Sequence, residues 1–317
     1  MAAQSLNELL IQAMESKIPD GTRLANVLID ILFIGKEAVY RRLRGEVPFT
    51  LNEAAIIAQE LGISLDNTIG TKNNKSALFN LSIVDIEDPI ITYEKIVKRY
   101  CDLYKSLRNF ENTELGLAAN IIPHGLFLKY SNLAKLRLFK WLYQNDKNNT
   151  YNFVVSDKLR SLQKEYVREV QHIKSTIYIL DNHIFDSFIN DVHYFINIGL
   201  INKQEIEEIK TELLELLDEI EEFATKGKFK TGTNIQIYIS NINFEATYTY
   251  LTSPMHNLAS YRLYGINAIY TPDPFLYEFN RDFIQSLKKY STLISESAEM
   301  QRIQYLNKQR EIIQSLS

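Results

Sequence analysis

The first part of the chain places its apolar residues at the three- and four-residue spacing of amphipathic helices. Two such segments lie on either side of Pro19-Asp20-Gly21, a tripeptide that interrupts helices and favours turns. The spacing therefore predicts two helices that each pack one apolar face. The apolar positions are Leu6, Leu9, Leu10, Ala13 and Met14 in the first helix, and Leu24, Val27, Leu28, Ile31 and Leu32 in the second.

Two helix starts carry the signature of a capping box, a Ser or Thr followed three residues later by Glu. Ser5 precedes Glu8 in this way, and Thr50 precedes Glu53. Each hydroxyl is expected to accept a hydrogen bond from a free amide of the first turn, which contributes about 1 kcal/mol. The second box opens a further predicted helix, 51–61.

A third segment, 36–44, is short and basic. Val39 and Leu43 are expected to point inward, which leaves the other side chains on or near the solvent side of the helix. These outward residues are Lys36, Glu37, Tyr40, Arg41 and Arg44.

A polar stretch without large apolar residues separates this helical region from the rest of the chain. It predicts a boundary between a helical domain, 1–69, a linker, 70–77, and a larger domain, 78–317. The chain length also favours two domains.

The larger domain alternates β-branched or small apolar runs with helical patterns. Strands are predicted at 78–84, 115–122 and 176–180. Helices are predicted at 93–107, 126–143, 157–172, 184–198, 203–223, 275–290 and 298–316.

Between residues 234 and 271 the hydrophobic period changes to two, which indicates three antiparallel strands. Pro272 and Pro274 are expected to end the sheet. The predicted fold is thus an all-α N-terminal domain followed by an α/β (α+β) domain with antiparallel strands and flanking helices.

Composition and charge narrow the function classes. The chain is 45% hydrophobic with a formal net charge of −4, which indicates a folded protein without a global affinity for nucleic acid. Cys101 is the only cysteine, so no intramolecular disulfide can form, and we expect a packed thiol in a reducing compartment. Without a secretory signal or a membrane-length apolar run, the protein is expected to be cytoplasmic.

Motifs for catalysis and cofactor binding are missing. No glycine pattern matches a phosphate-binding loop, and the five histidines lack the partners of a metal site. His183 and Asp186 can share a helical face, but a surface pair explains them better than a ligand set. Ser295 is interpreted as a helix N-cap because no nucleophile turn surrounds it. No cofactor, metal or enzymatic activity is expected.

The residues within and after the basic segment 36–44 follow a known pattern. Val39 is its core anchor, Arg44-Gly45 ends it, and the run 61–66 follows at a fitting distance, with Ile34, Ala55 and Ala58 also in place. This segment resembles the Cro/phage-repressor-type (XRE-like) family of helix-turn-helix transcriptional regulators. The chain departs from that family at Leu43, where a Glu is frequent, and at Ile29, where a tightly packed Ala is usual.

The resemblance implies that Lys36, Glu37, Tyr40 and Arg41 face base edges and that Arg44 lies near phosphate. Side-chain chemistry agrees, since Arg or Lys can bind guanine and Glu can accept from cytosine in the major groove. Arg41, Arg42 and Arg44 supply the local positive charge that the whole chain lacks.

Aromatic residues are dense in the second domain. Tyr248, Tyr250, Tyr261 and Tyr264 either line a pocket for a small-molecule or peptide effector or simply follow strand propensity. The last helix, with apolar residues at helical spacing, either packs on the sheet or pairs with a second copy. Because repressor-type heads bind paired half-sites, a homodimer is expected.

These patterns favour a sequence-specific regulator that binds double-stranded DNA. Two alternatives are a protein-interaction scaffold with a helical head and an enzyme of unrecognised type in the second domain. A scaffold would show no sequence preference for DNA, whereas an enzyme would need a cleft with convergent titratable groups.

Overall fold

A computed structural model describes residues 5–18, 22–65, 68, 77–263 and 265–316. The chain divides into two compact units, Met1–Leu78 and Phe79–Ser317, which we call the head and the body. Of the predicted linker, 70–77, only Ala77 lies within the described residues.

Four helices of the head are described: α1 (Leu6–Glu15), α2 (Leu24–Leu32), α3 (Lys36–Leu43) and α4 (Leu51–Leu61). Their facing apolar side chains form a small core of Leu10, Met14, Ala25, Leu28, Val39, Ile57 and Ile63. Helix α2 packs against both α3 and α4. The predicted helices are thus present, and their predicted apolar positions are buried or half-buried except Leu6, which is exposed.

Local chemistry sets the ends of these helices as predicted. The Ser5 hydroxyl accepts from the Glu8 amide, the Thr50 hydroxyl accepts from the Glu53 amide, and both Glu side chains complete the capping boxes. Gly62 ends α4 in the left-handed conformation, with a φ of 62°. Glycine adopts this conformation without a Cβ clash.

The body contains one eight-stranded mixed sheet with the order β1-β7-β6-β5-β2-β3-β4-β8. The strands are β1 (Asn80–Ser82), β2 (Glu114–Ala119), β3 (Ser175–Leu180), β4 (Asn234–Ser240), β5 (Tyr248–Thr252), β6 (Leu258–Leu263), β7 (Asn267–Thr271) and β8 (Ser291–Leu293). Strands β2, β3 and β4 are parallel, whereas every other neighbouring pair is antiparallel.

Helices cover both faces of this sheet. They are α5 (Pro89–Leu107), α6 (His124–Phe127), α7 (Ser131–Asn145), α8 (Asp157–Val170), α9 (Asp186–Asn197), α10 (Lys203–Lys226), α11 (Pro274–Leu287) and α12 (Glu299–Gln314). Helix α11 packs on one face, above β2, β5 and β6. The main apolar core lies on the opposite face, beneath the remaining helices.

The central strands are apolar on both faces because both are covered. Leu117 of β2 contributes to the main core, while the adjacent Ala118 contributes to the core under α11. In β3, Tyr178 contributes to the main core and the adjacent Ile179 contributes to the core under α11. An uninterrupted apolar run, rather than an alternating one, is the sequence pattern of such strands.

The segment 234–271 differs from its prediction. It forms four strands instead of three, and β4 pairs parallel with β3, for example at Ile237 and Tyr178, instead of joining an antiparallel meander. The sheet also does not end at Pro272 and Pro274. Pro274 begins α11, and β8 then returns to pair with β4. The hydrophobic period alone could not show whether β4 pairs in parallel or antiparallel, because side chains alternate between the two faces in the same way in both arrangements.

The predicted helix 126–143 is interrupted. Helix α6 ends at Phe127 and α7 begins at Ser131. The start of α7 is capped from α10, where one Glu212 oxygen accepts from the Asn132 and Leu133 amides at 2.8 and 3.0 Å. A cap supplied by a residue so distant in sequence leaves no local signal.

The C-terminal segment also differs from its prediction. Ser295 is not an N-cap, because its buried hydroxyl accepts from the Ile237 amide at 2.7 Å. Of the apolar residues at helical spacing in the predicted helix 298–316, Leu306, Ile313 and Leu316 are buried, whereas Met300 and Ile303 are exposed. The buried side of α12 carries Arg302, Tyr305, Leu306, Gln309 and Ile313. Packing against α10, rather than apolar spacing, selects that face.

Cys101 is buried, and its thiol lies 3.4 Å from the Leu162 carbonyl, as expected of a packed cysteine. Burial raises the pKa of this thiol to about 12, so it remains protonated. Within the described ranges, no helix combines the length and the apolar character needed to cross a bilayer.

The approach of Tyr250 to Gly116 provides a test of the sheet. A Cβ atom at Gly116 would lie 2.0 Å from the Tyr250 ring. We expect Gly116→Ala to destabilise the body by about 1–3 kcal/mol, because the fully buried ring must shift. Urea unfolding followed by the fluorescence of Trp141 measures this loss in the body.

The same substitution in a Tyr250→Leu background is the control. If the clash is the cause, Gly116→Ala costs much less there. An equal cost in both backgrounds would contradict the proposed contact.

Candidate nucleic-acid interface

Helix α3 is anchored in the head chiefly through one fully buried apolar side chain. Val39 is fully buried in the core between α2 and α4, as the sequence predicted for the core anchor. The helix begins after Gly35 and ends at Arg44, and Gly45 follows in the left-handed region with a φ of 75°. Leu43, which was also predicted to point inward, and Tyr40 pack partly against the same core, and the other side of the helix is left for polar groups.

Arg42 also belongs to the inward side of α3. Its Nε and Nη2 donate to the two carboxylate oxygens of Glu53 on α4, at 3.1 and 2.7 Å. Its Nη1 donates to the Ala38 carbonyl at 3.2 Å. The Arg42 and Glu53 side chains are only 16% and 15% exposed. Such a two-pronged, partly buried ion pair fixes α3 against α4.

Arg42 thus differs from the other predicted DNA-binding residues, and the α3 face defined below does not include it. Its guanidinium is occupied within the head, and the same Glu53 carboxylate also completes the capping box of α4. The sequence grouped Arg42 with Arg41 and Arg44 because all three lie in one basic run. The helical period places its side chain toward α4 instead.

Four of the other five predicted residues lie toward solvent, and Tyr40 lies at the edge, partly against the head core. Lys36, Glu37, Arg41 and Arg44 are exposed, and Tyr40 is half-buried. The Lys36 ammonium lies 5.9 Å from the centre of the Tyr40 ring. We call Lys36, Glu37, Tyr40, Arg41 and Arg44 the α3 face.

Two carboxylates moderate the charge of this face. Arg44 donates to Glu46 at 2.6 Å and to Glu37 at 3.2 Å, and the Arg41 Nε lies 3.5 Å from Glu46. These hydrogen bonds raise the pKa of Arg44, and the Arg44 guanidinium lowers the pKa of Glu46. Because all four side chains are solvent-exposed, the pairs are weak and can exchange for another anion.

Sequence reasoning missed an exposed aromatic beside the α3 face. Phe33, which ends α2, is 91% exposed and adopts a left-handed conformation with a φ of 52°. Non-glycine residues rarely hold that conformation, and a large apolar side chain rarely stands so free in solvent. The only signal in the sequence was a bulky aromatic at the position where a helix ends.

The predicted tyrosines of the body lie around α11. Tyr250 is buried, and its hydroxyl contacts Glu114 at 2.8 Å and Gln285 at 2.6 Å. Tyr248 and Tyr261 pair edge to face across β5 and β6 with ring centres 6.1 Å apart. Tyr264 lies outside the described residues.

A polar cleft of about 720 Å³ lies elsewhere, at the amino ends of the parallel strands. Lys174 and Glu111 form an ion pair at its rim, 3.1 Å apart, and Arg281 lines another side. The three described tyrosines of the candidate pocket are not among its lining residues.

Groups suited to metal binding are not found in the described parts of the chain. His183 and Asp186 form a pair, with Nδ1 and Oδ2 2.5 Å apart, and the His183 side chain is 52% exposed.

Comparison with protein-family models, curated proteins and solved structures finds no match. The interpretation of this chain therefore depends on its own geometry.

The different environments of two adjacent arginines yield a prediction. We expect Arg42→Ala to destabilise the head by about 1–3 kcal/mol, because it leaves the partly buried Glu53 carboxylate without its cation. Arg41→Ala is the matched control and should change the stability of the head by less than about 0.5 kcal/mol. Hydrogen exchange of the α3 and α4 amides measures both effects, and equal protection in the two variants would contradict the assigned role of Arg42.

Proposed function

We propose that this protein is a DNA-binding regulator that acts as a homodimer and reads double-stranded DNA with the α3 face. The observation that carries the proposal is the division of α3 into two sides. Val39 and Arg42 hold the helix in the head, while Lys36, Arg41 and Arg44 lie together toward solvent.

The dimensions and chemistry of the α3 face suit a major groove. An α-helix fits this groove, and Lys36 and Arg41 can donate to guanine, while Glu37 can accept from cytosine. Each well-placed base contact discriminates by about 1–3 kcal/mol. Arg44, at the end of the helix, can exchange its carboxylate partners for a phosphate.

The ion pairs of the α3 face limit how much of the DNA affinity can come from charge. Three cations, Lys36, Arg41 and Arg44, share the area with Glu37 and Glu46, so its formal charge is small. Binding that depended on charge alone would therefore be weak. Base contacts must contribute a large part of the affinity, which favours a sequence-specific protein over a general DNA-coating one.

In vitro selection of DNA sites by the full-length protein tests the proposal directly. A regulator of this kind enriches a defined sequence, and a dimer enriches two related half-sites about one helical turn apart. Selection without any enriched sequence would reject the proposal and favour the scaffold alternative.

Removing one carboxylate should strengthen DNA binding. Glu46→Gln frees Arg41 and Arg44 from their shared acceptor, so we expect about two- to fivefold tighter binding at low salt. The slope of log affinity against log salt should steepen by up to about 0.9 for each additional phosphate that the freed arginines neutralise. Fluorescence anisotropy across a salt series measures both quantities.

Glu60→Gln is the matched control, since it makes the same charge change at an exposed position of α4. It should leave the salt slope unchanged. Equal effects of the two substitutions would show that total charge, and not the α3 face, governs binding.

An exposed aromatic surface on the body supports the dimer. Phe275, Phe279 and Phe283 recur every four residues along α11 and are 48%, 62% and 37% exposed. The Phe283 ring lies 5.1 Å from that of Tyr248, which pairs with Tyr261 on the sheet. We call these five residues the aromatic face.

We expect a second copy of the chain to cover the aromatic face, because the proposed regulator acts as a dimer. Paired half-sites need two heads, and a two-fold interface brings the same surface of each copy together. Exposed apolar patches on folded proteins commonly mark such interfaces. Aromatic anchors are also the residues that contribute most to association.

We expect Phe279→Asp to dissociate the dimer, because it places a charge in the middle of the aromatic face. Light scattering coupled to size exclusion at micromolar concentration measures the mass. Val154→Asp is the control, since Val154 is an 83% exposed apolar residue of the body outside this surface. A dimer that tolerates Phe279→Asp, or a monomeric wild type, would contradict the assignment.

A further inference from the structure

Arg137 is a buried cation whose donors are not all used. Only 5% of this residue is exposed. Its Nε and Nη2 atoms are fully buried and have no hydrogen-bond partner within the described parts of the chain. Buried polar atoms in folded proteins nearly always have partners, and an unpaired buried charge is especially costly. This arginine is therefore an exception that needs an explanation.

The other buried arginine in the described part of the body, Arg302, has partners within the protein. Arg302, which is 9% exposed, donates to the Ile294 and Ser297 carbonyls at 2.9 and 3.1 Å. The strongest acidic influence on the Arg137 guanidinium comes from Asp191. Both Asp191 oxygens, however, accept from the Lys140 ammonium at 2.7 Å. The free donors of Arg137 consequently need an acceptor from elsewhere.

A second cation lies close to Arg137. Arg262 donates through Nη1 to His124 Nε2 at 3.0 Å. Burial, followed by the charges of Arg262 and Arg137, lowers the pKa of His124 well below its usual value, so the ring is neutral. Because Nε2 accepts this hydrogen bond, the His124 proton is on Nδ1. The cluster thus has two guanidinium charges and a neutral histidine.

This cluster occupies the place where α/β sheets usually bind ligands. Strand β2 ends at Ala119, and the next residue, Asn120, accepts from the Thr247 hydroxyl at 2.9 Å. The Arg262 amide donates to the Thr247 carbonyl at 3.1 Å across β5, and the Arg262 side chain reaches His124, which follows the carboxyl end of β2. Ligands of open sheets with parallel strands bind at this edge.

The free donors define the shape of the acceptor. Nε–H and Nη2–H lie on one edge of a guanidinium and are spaced to bind the two oxygens of a single oxyanion. The walls are apolar, since the Arg137 Cζ atom lies 5.8 Å from the centre of the Phe127 ring and 5.4 Å from that of Phe188. A compact monoanion with an apolar body matches these surroundings better than a strongly hydrated dianion.

We propose that Arg137, assisted by Arg262, binds the carboxylate of a small organic acid inside the body. This site is separate from the α3 face and does not depend on DNA binding. If the head also acts on DNA, the acid would be the effector that the body senses. That link rests on the proposed function, whereas the binding site itself does not.

Trp141 makes the site measurable. It is the only tryptophan of the chain and lies four residues after Arg137 on α7, so its fluorescence reports on the body alone. The probes are sodium acetate and sodium benzoate, with sodium chloride at equal ionic strength as the reference. At saturating concentration we expect a carboxylate to raise the Trp141-monitored melting temperature by about 5 °C relative to chloride.

Substitutions at Arg137 test the assigned donors. Arg137→Met should abolish the carboxylate effect while leaving the ligand-free body at least as stable, because an apolar side chain of similar length replaces an unpaired buried charge. Arg137→Lys keeps the charge but lacks the two-donor edge, and should weaken carboxylate binding about tenfold or more. Arg160→Met, at an exposed position of α8, is the control and should retain the full effect.

Three results would overturn the proposal. Acetate and benzoate could act no differently from chloride, or the shift could persist in Arg137→Met. Protection by inorganic phosphate alone would replace the carboxylate with a phosphate ligand. All measurements are made on the full chain without DNA, so failure of the regulator hypothesis leaves the outcome interpretable.

Discussion

Burial of β2 and β3 on both faces is the constraint that organises the body. Parallel strands place apolar side chains on both sides of the sheet, and each side needs a cover. Leu117 and Tyr178 are covered by the main helical core, while Ala118 and Ile179 are covered by α11. The chain must therefore return after β4 to supply the second cover, which leaves the aromatic side of α11 in solvent.

The head must also bury the apolar sides of its helices, and it does so in a smaller core. Val39 of α3 is fully buried in this core, Tyr40 and Leu43 pack partly against it, and the Arg42–Glu53 pair holds the helix at a further inward position. The outward side of α3 is then free to carry cations. In this way the packing of a small bundle determines which members of a basic run can take part in recognition.

Both regions that we link to function contain arginines, but the surroundings of the guanidinium groups differ. Arg41 and Arg44 are exposed beside carboxylates that water screens, so their ion pairs exchange easily. Arg137 is enclosed, where a missing partner is costly. The exposed arginines therefore suit reversible contact with a polyanion, and the enclosed one suits a single small anion.

Local sequence signals determined the four helices of the head, the capping boxes at Ser5 and Thr50, the Gly62 terminus and the anchor Val39, because each depends on residues within one or two helical turns. Tertiary structure alone decided the parallel partner of β4, the Glu212 cap on α7 and the buried face of α12. It also decided that Arg42 binds Glu53 while Arg41 faces solvent. These features join residues far apart in the chain, and the period of a pattern states which residues share a face without stating what that face will meet.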